Sequence, residues 1–224
     1  MKKLFPLFFL GAAFGIVEGA VVVYLRPLLN YGKEDFSLNI FNAEFLTATQ
    51  RMLLQTEFLR EAATIALIGA AAAAAAASFF YWASYFVFTF AVWDISYYVF
   101  LKIRLGWPAS ILDWDMLFLI PSPWLAPVLV PVLISLIGVA LSILSVKTLD
   151  YCGRVSLRFY HWAPVLLALS LWIISFLNNG GQGMAARHGS YSWFLFITGV
   201  ILSIGSGALF YRDFLMRHKS WMFK

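Results

Sequence analysis

The chain has 224 residues, of which 62% are hydrophobic and only 12% charged, with a mean hydropathy of +0.82. Water-soluble domains carry about 45–50% apolar and about 25% charged residues, and a chain this short cannot bury such a surplus in one core, so a water-soluble domain is excluded. The net charge of +5 reports loop orientation in a polytopic chain instead of nucleic-acid binding, and the single Cys152 excludes a disulfide scaffold.

In chain order, the pattern predicts an all-α, polytopic integral membrane protein. Residues 1–224 are read as one transmembrane domain with six spans, at about 4–25, 60–78, 81–101, 116–146, 162–177 and 191–211. The N-terminal run from Leu4 to Leu25 looks like a secretory signal but continues far enough to span, so it is read as an uncleaved first helix. Residues 39–58 show helical periodicity broken by polar groups and are expected to lie at the interface. The second span contains the alanine run Ala70–Ala77, and a turn without charges leads to the third.

The fourth stretch, 116–146, carries Pro121, Pro123, Pro127 and Pro131. Each proline removes a backbone donor and crowds the preceding turn. A Pro-broken fourth span is therefore expected, with an irregular or re-entrant segment lining a polar pocket and a regular helix from near Ala126. A glycine-rich loop joins the fifth and sixth spans. With both termini on the cytoplasmic side of a prokaryotic membrane, nine of the sixteen basic residues fall inside, and this margin sets the expected orientation.

The acidic residues give the functional reading. Nine of eleven fall on the outer side or in the outer half of the membrane in this topology. Glu18 and Asp94 each lie seven residues before the end of an outward-running helix, roughly 10 Å deep. An acid at that depth must face the bundle interior, take a proton or find a partner. Gly11, Gly15 and Gly19 give overlapping G-x-x-x-G steps, Gly11 and Gly15 on the same broad face as Glu18, a pattern that lets a neighbouring helix approach closely. Tyr97 and Tyr98 follow Asp94 at helical spacing, and Lys102 continues the row as an acid–phenol–amine ladder. Glu57, Arg60 and Glu61 open the second span, Arg26 follows the first, and Asp113 and Asp115 precede the fourth.

The expected substrate- or ion-binding residues are Glu18, Arg26, Arg60, Glu61, Asp94, Tyr97, Tyr98 and Asp115, with Glu18 and Asp94 as a coupled pair. Trp93 joins the tyrosines as an aromatic wall. The leading expectation is a transporter or substrate-binding membrane subunit for a cation or small polar solute. A second is a membrane enzyme acting on a lipid-linked substrate, with Mg²⁺ or Mn²⁺ held by Glu57, Glu61, Asp113 and Asp115. A third is a non-catalytic assembly subunit partnered with another membrane protein. Catalytic residues and cofactor are not assigned by the sequence. In length and helix count the chain is similar to the substrate-capture subunits of energy-coupling-factor vitamin transporters, a likeness that carries no residue.

Overall fold

The computed structural model describes residues 1–28, 47–120, 123–152, 159–180 and 191–222. Among the described residues there are six helices: α1 Leu4–Leu28, α2 Ala48–Ala75, α3 Phe79–Leu105, α4 Leu129–Cys152, α5 Phe159–Gly180 and α6 Trp193–Met222. A hairpin of two short strands, β1 Trp114–Phe118 and β2 Trp124–Pro127, stands between α3 and α4. Every helix is long and apolar enough to cross a bilayer. Large apolar side chains such as Phe5, Ile103, Phe194 and Ile201 point away from the protein, an arrangement that only acyl chains can solvate. The chain is an integral membrane protein.

Local chemistry sets the helix ends. Thr47 caps α2 with a capping box: its hydroxyl accepts the Gln50 N–H at 3.2 Å, and the Gln50 side chain accepts the Thr47 N–H at 3.0 Å. From there α2 runs 28 residues, about 42 Å, well beyond a hydrocarbon core of about 30 Å. The expected separate interfacial helix is thus corrected over its described part, because residues 48–58 are the first turns of α2; residues 39–46 lie outside the described residues. At the other boundary, α3 ends on Gly106 with φ 66°, whose N–H donates to the Lys102 carbonyl at 3.1 Å. That left-handed conformation suits glycine. Lys102 folds onto the same cap, its ammonium donating to Gly106 O at 3.3 Å and Pro108 O at 2.6 Å. It is therefore no rung of a ladder running from Asp94, as the helical spacing suggested.

The largest departure from the expected elements lies at 116–146. Strands β1 and β2 pair antiparallel, Asp115 opposite Ala126 and Met116 opposite Leu125, with an irregularity between Met116 and Phe118. Pro127 closes β2, and Pro131 sits in the first turn of α4, where a missing N–H leaves no carbonyl unmet. Pro123 lines an apolar groove against α2 and is absent from the walls of the polar cavity described below, so the expected pocket-lining role of this proline is corrected. Pro121 lies outside the described residues.

Helix α1 packs on α3 along its glycines. A Cβ on Gly11 would sit 2.7 Å from the Thr89 carbonyl oxygen, and one on Gly15 only 2.5 Å from that of Trp93. The backbones touch because no side chain intervenes. On α6, Gly199 faces the Trp172 indole, Gly207 faces Leu141, and Ser203 is buried between them, so these small residues lie against α5 and α4. Two apolar clusters hold the bundle. Leu4, Leu7, Ala72, Tyr85, Phe88, Val92 and Val146 form one, at the end where the Met1 ammonium meets Asp150 at 2.6 Å. The other joins Ala126, Val130, Trp172, Phe176, Tyr191 and Phe196 beside the hairpin.

Candidate functional site

The α1–α3 glycine contact brings Glu18 to the hairpin end of the bundle, where α2 supplies a counter-charge. Arg60 donates through Nη2 to Glu18 Oε1 at 2.5 Å and through Nη1 to Glu18 Oε2. The same guanidinium donates through Nε to Glu57 Oε2 at 2.9 Å and through Nη2 to Glu57 Oε1 at 2.5 Å. Two carboxylates thus share one fork, each by two N–H groups, a geometry specific to arginine. Because α2 starts at Ala48, these residues lie well inside the helix and not at its N-terminal dipole, which removes the ordinary helix-start explanation for the glutamates.

The hairpin closes the arrangement. Glu61 accepts the backbone N–H of Leu119 at 2.9 Å, tying α2 to the residue just past β1. Asp115 on β1 is 3% exposed and accepts the Tyr98 hydroxyl at 3.0 Å, with a further hydrogen bond from Tyr97. Burial pushes the Asp115 carboxyl up to about 6, against the pull of Arg26 and of its hydrogen bonds, which act to lower it. Arg26 lies over the Trp107 ring at 4.0 Å from its centre. Asp94 accepts the Ser135 hydroxyl of α4 at 2.8 Å.

These groups surround a cavity of about 100 Å³. Glu18, Arg26, Glu57, Glu61, Asp94 and Asp115 line it with Tyr97 and Tyr98, while Val22, Leu25, Leu54, Trp93, Met116, Leu117, Phe118 and Leu119 supply apolar walls. That space suits a few waters or one small head group. Counting Arg60, five carboxyl groups face two guanidinium groups. The Trp93 indole N–H is buried and finds no acceptor among the described residues.

Of the sequence-derived residues, Glu18, Arg26, Glu61, Asp94, Tyr97, Tyr98 and Asp115 line this cavity, and Arg60 joins it through Glu18 and Glu57. Their pairing differs from expectation. Glu18 is matched to Arg60 and Asp94 to Ser135, and Asp115 is the charge that acts on both. Tyr98 serves Asp115 and not Asp94, the acid on its own helix. Asp113 stays outside the cavity: its carboxylate accepts the N–H groups of Ala109 and Ser110 at 2.7 and 3.1 Å and so fixes the loop before β1. Among the described residues, no three His, Cys, Asp or Glu side chains gather as metal ligands. Sequence reasoning left out of the site Ser135, Trp107 and the Leu119 backbone, and gave Glu57 only as a metal ligand of the membrane-enzyme alternative. A signal existed only for Glu57, four residues before Glu61 on the same helix face.

Fold and site together define an integral membrane protein with a polar cavity at the hairpin end of its helical bundle. No protein family, curated protein or solved structure matches the chain.

Proposed function

We propose that this protein is a transporter or substrate-binding membrane subunit whose hairpin-end cavity takes a proton or a small organic cation. One observation carries the reading: five carboxyl groups and only two guanidinium groups meet about one cavity. With all five ionised the site holds three uncompensated negative charges, expensive in a poorly solvated place unless protons or a cation balance them. Tyr97, Tyr98 and Trp93 offer faces for an ammonium group. The proline-rich 116–131 region keeps the hairpin out of α4, and the hairpin serves as a re-entrant wall buried by protein. The basic residues favour both termini in the cytoplasm, which puts the cavity in the outer half of the bilayer of a cytoplasmic membrane, and the chain works as a single domain.

Methylammonium should protect the purified protein against thermal unfolding in nanodiscs, and Asp94→Asn or Glu61→Gln should weaken that protection about tenfold or more. Absence of protection, together with no proton uptake by the folded protein between pH 5 and 8, would remove the reading.

A further inference from the structure

The polar cavity has an apolar neighbour. Arg51, Leu54, Gln55, Phe58, Leu59, Leu119 and Pro123 line an open groove between α2 and the hairpin. Leu54 and Leu119 line both spaces, so the cavity and the groove share a wall. Helical geometry explains the division. On α2, Leu54, Glu57 and Glu61 fall on one stripe and face the cavity, whereas Gln55, Phe58 and Leu59 fall on the next and face the groove. Leu54 is the ridge they share.

The groove faces the bilayer. Leu59 is 68% exposed on a helix that crosses the membrane, where exposed leucine meets acyl chains. Arg51 lies nine residues before Arg60, about 13 Å nearer the helix start, at the level where arginines reach lipid headgroups. Inside the cavity, Trp93 is 6% exposed and its indole N–H finds no acceptor among the described residues. That group suits a ligand oxygen beside the ammonium.

We infer that the ligand is a membrane amphiphile whose head carries a primary ammonium and a neighbouring oxygen, with the head in the cavity and the hydrocarbon chain in the groove, admitted sideways past Leu54 and Leu119. A small hydrophilic solute would leave the groove unused. An amphiphile places each of its halves in matching surroundings. A primary ammonium offers three N–H donors to an acceptor-rich site, which a quaternary head lacks. The inference rests on the cation-binding reading above and adds the chemical class and the route.

The test uses the full chain in dioleoyl phosphatidylglycerol nanodiscs with three probes: oleoyl lysophosphatidylethanolamine, oleoyl lysophosphatidylglycerol and methylammonium. Native mass spectrometry at equal mole fraction should show the ethanolamine lipid retained about tenfold over the glycerol lipid, the scale of one charge-assisted hydrogen bond. Gln55→Trp and Leu59→Trp fill the groove from exposed positions outside the cavity. They should abolish that preference and leave thermal protection by methylammonium unchanged. Methylammonium protection with no preference between the two lipids, or a preference that survives both tryptophan variants, overturns the amphiphile inference while the cation pocket stands. Failure of both the ethanolamine lipid and methylammonium overturns the amphiphile inference, and with no proton uptake between pH 5 and 8 it overturns the cation reading as well.

Discussion

Removal of Arg60 is the sharpest perturbation of the site. Its guanidinium gives two N–H groups to Glu18 and two to Glu57, and both carboxylate side chains are only 12% exposed. Arg60→Met keeps much of the stem packing but leaves two carboxyl groups without their cation. Breaking a buried pair costs about 3–5 kcal/mol because the remaining charge is stranded. The arginine side chain is 22% exposed, so screening puts the loss near the lower figure, about 3 kcal/mol. Reversible unfolding in mixed micelles, followed by tryptophan fluorescence, measures it. Neutralising the stranded acids tests the cause. Glu18→Gln and Glu57→Gln added to Arg60→Met should bring stability back to within about 1 kcal/mol of the parent, because an uncharged trio avoids the desolvation that the ions require. Two results would refute the reasoning: an Arg60→Met loss below about 1 kcal/mol, or no recovery in the triple variant.

Three further outcomes follow from the same geometry. Gly15→Val should destabilise by at least about 1–3 kcal/mol and, in the same preparations, weaken methylammonium protection, since its Cβ would meet the Trp93 carbonyl oxygen at 2.5 Å and force α1 off α3 with Glu18 attached; an unchanged melting curve would contradict the close contact. Ser135→Ala takes the hydroxyl donor from Asp94 and should cost about 1–2 kcal/mol, with Ser135→Thr closer to the parent. Asp115 gives a pH signature: an unfolded carboxyl releases its proton near 3.8, while the folded one holds it to about 6. The folded state therefore binds more protons in that window, so stability falls as pH rises through it, by about 3 kcal/mol in all, and then levels. Unfolding free energy of Asp115→Asn should lack that fall between pH 4 and 6, and an identical pH profile in parent and variant would refute the assignment.

How far this protein can be read from its residues differs between fold and site. The helices announce themselves through apolar length, and Gly11, Gly15 and Gly19 announce the α1–α3 contact, because both signals are local and periodic. Residues 114–127 hide their strands: the run is apolar, short and proline-bearing, and periodicity cannot tell a buried strand from a piece of helix. The start of α2 is hidden because polar residues from Arg51 to Glu57 resemble an interfacial segment, whereas a helix of about 42 Å simply outruns the hydrocarbon. Within the site, depth along the helices grouped Glu18 and Asp94, acids that line one cavity. Partners could not be read. That Arg60 takes Glu18, Asp94 takes Ser135 and Tyr98 takes Asp115 depends on helix rotation and on the hairpin, neither of which is written in spacing.

The hairpin explains why so acidic a site can exist at this end of the bundle. A helix running through 114–127 would spend its own N–H groups on its own carbonyls and leave none for neighbours. Two short strands pair with each other and still release the Leu119 N–H to Glu61, while β1 presents Asp115 to the α3 tyrosines. The acids are thus held by one arginine fork, three hydroxyl groups and two backbone amides contributed by four separate segments. Dipolar donors steady a carboxyl group without cancelling its charge. The negative excess therefore survives inside a well-ordered site, as a place that binds cations requires. Exchanging the donors for lysines would fix the acids equally well and abolish the function proposed here.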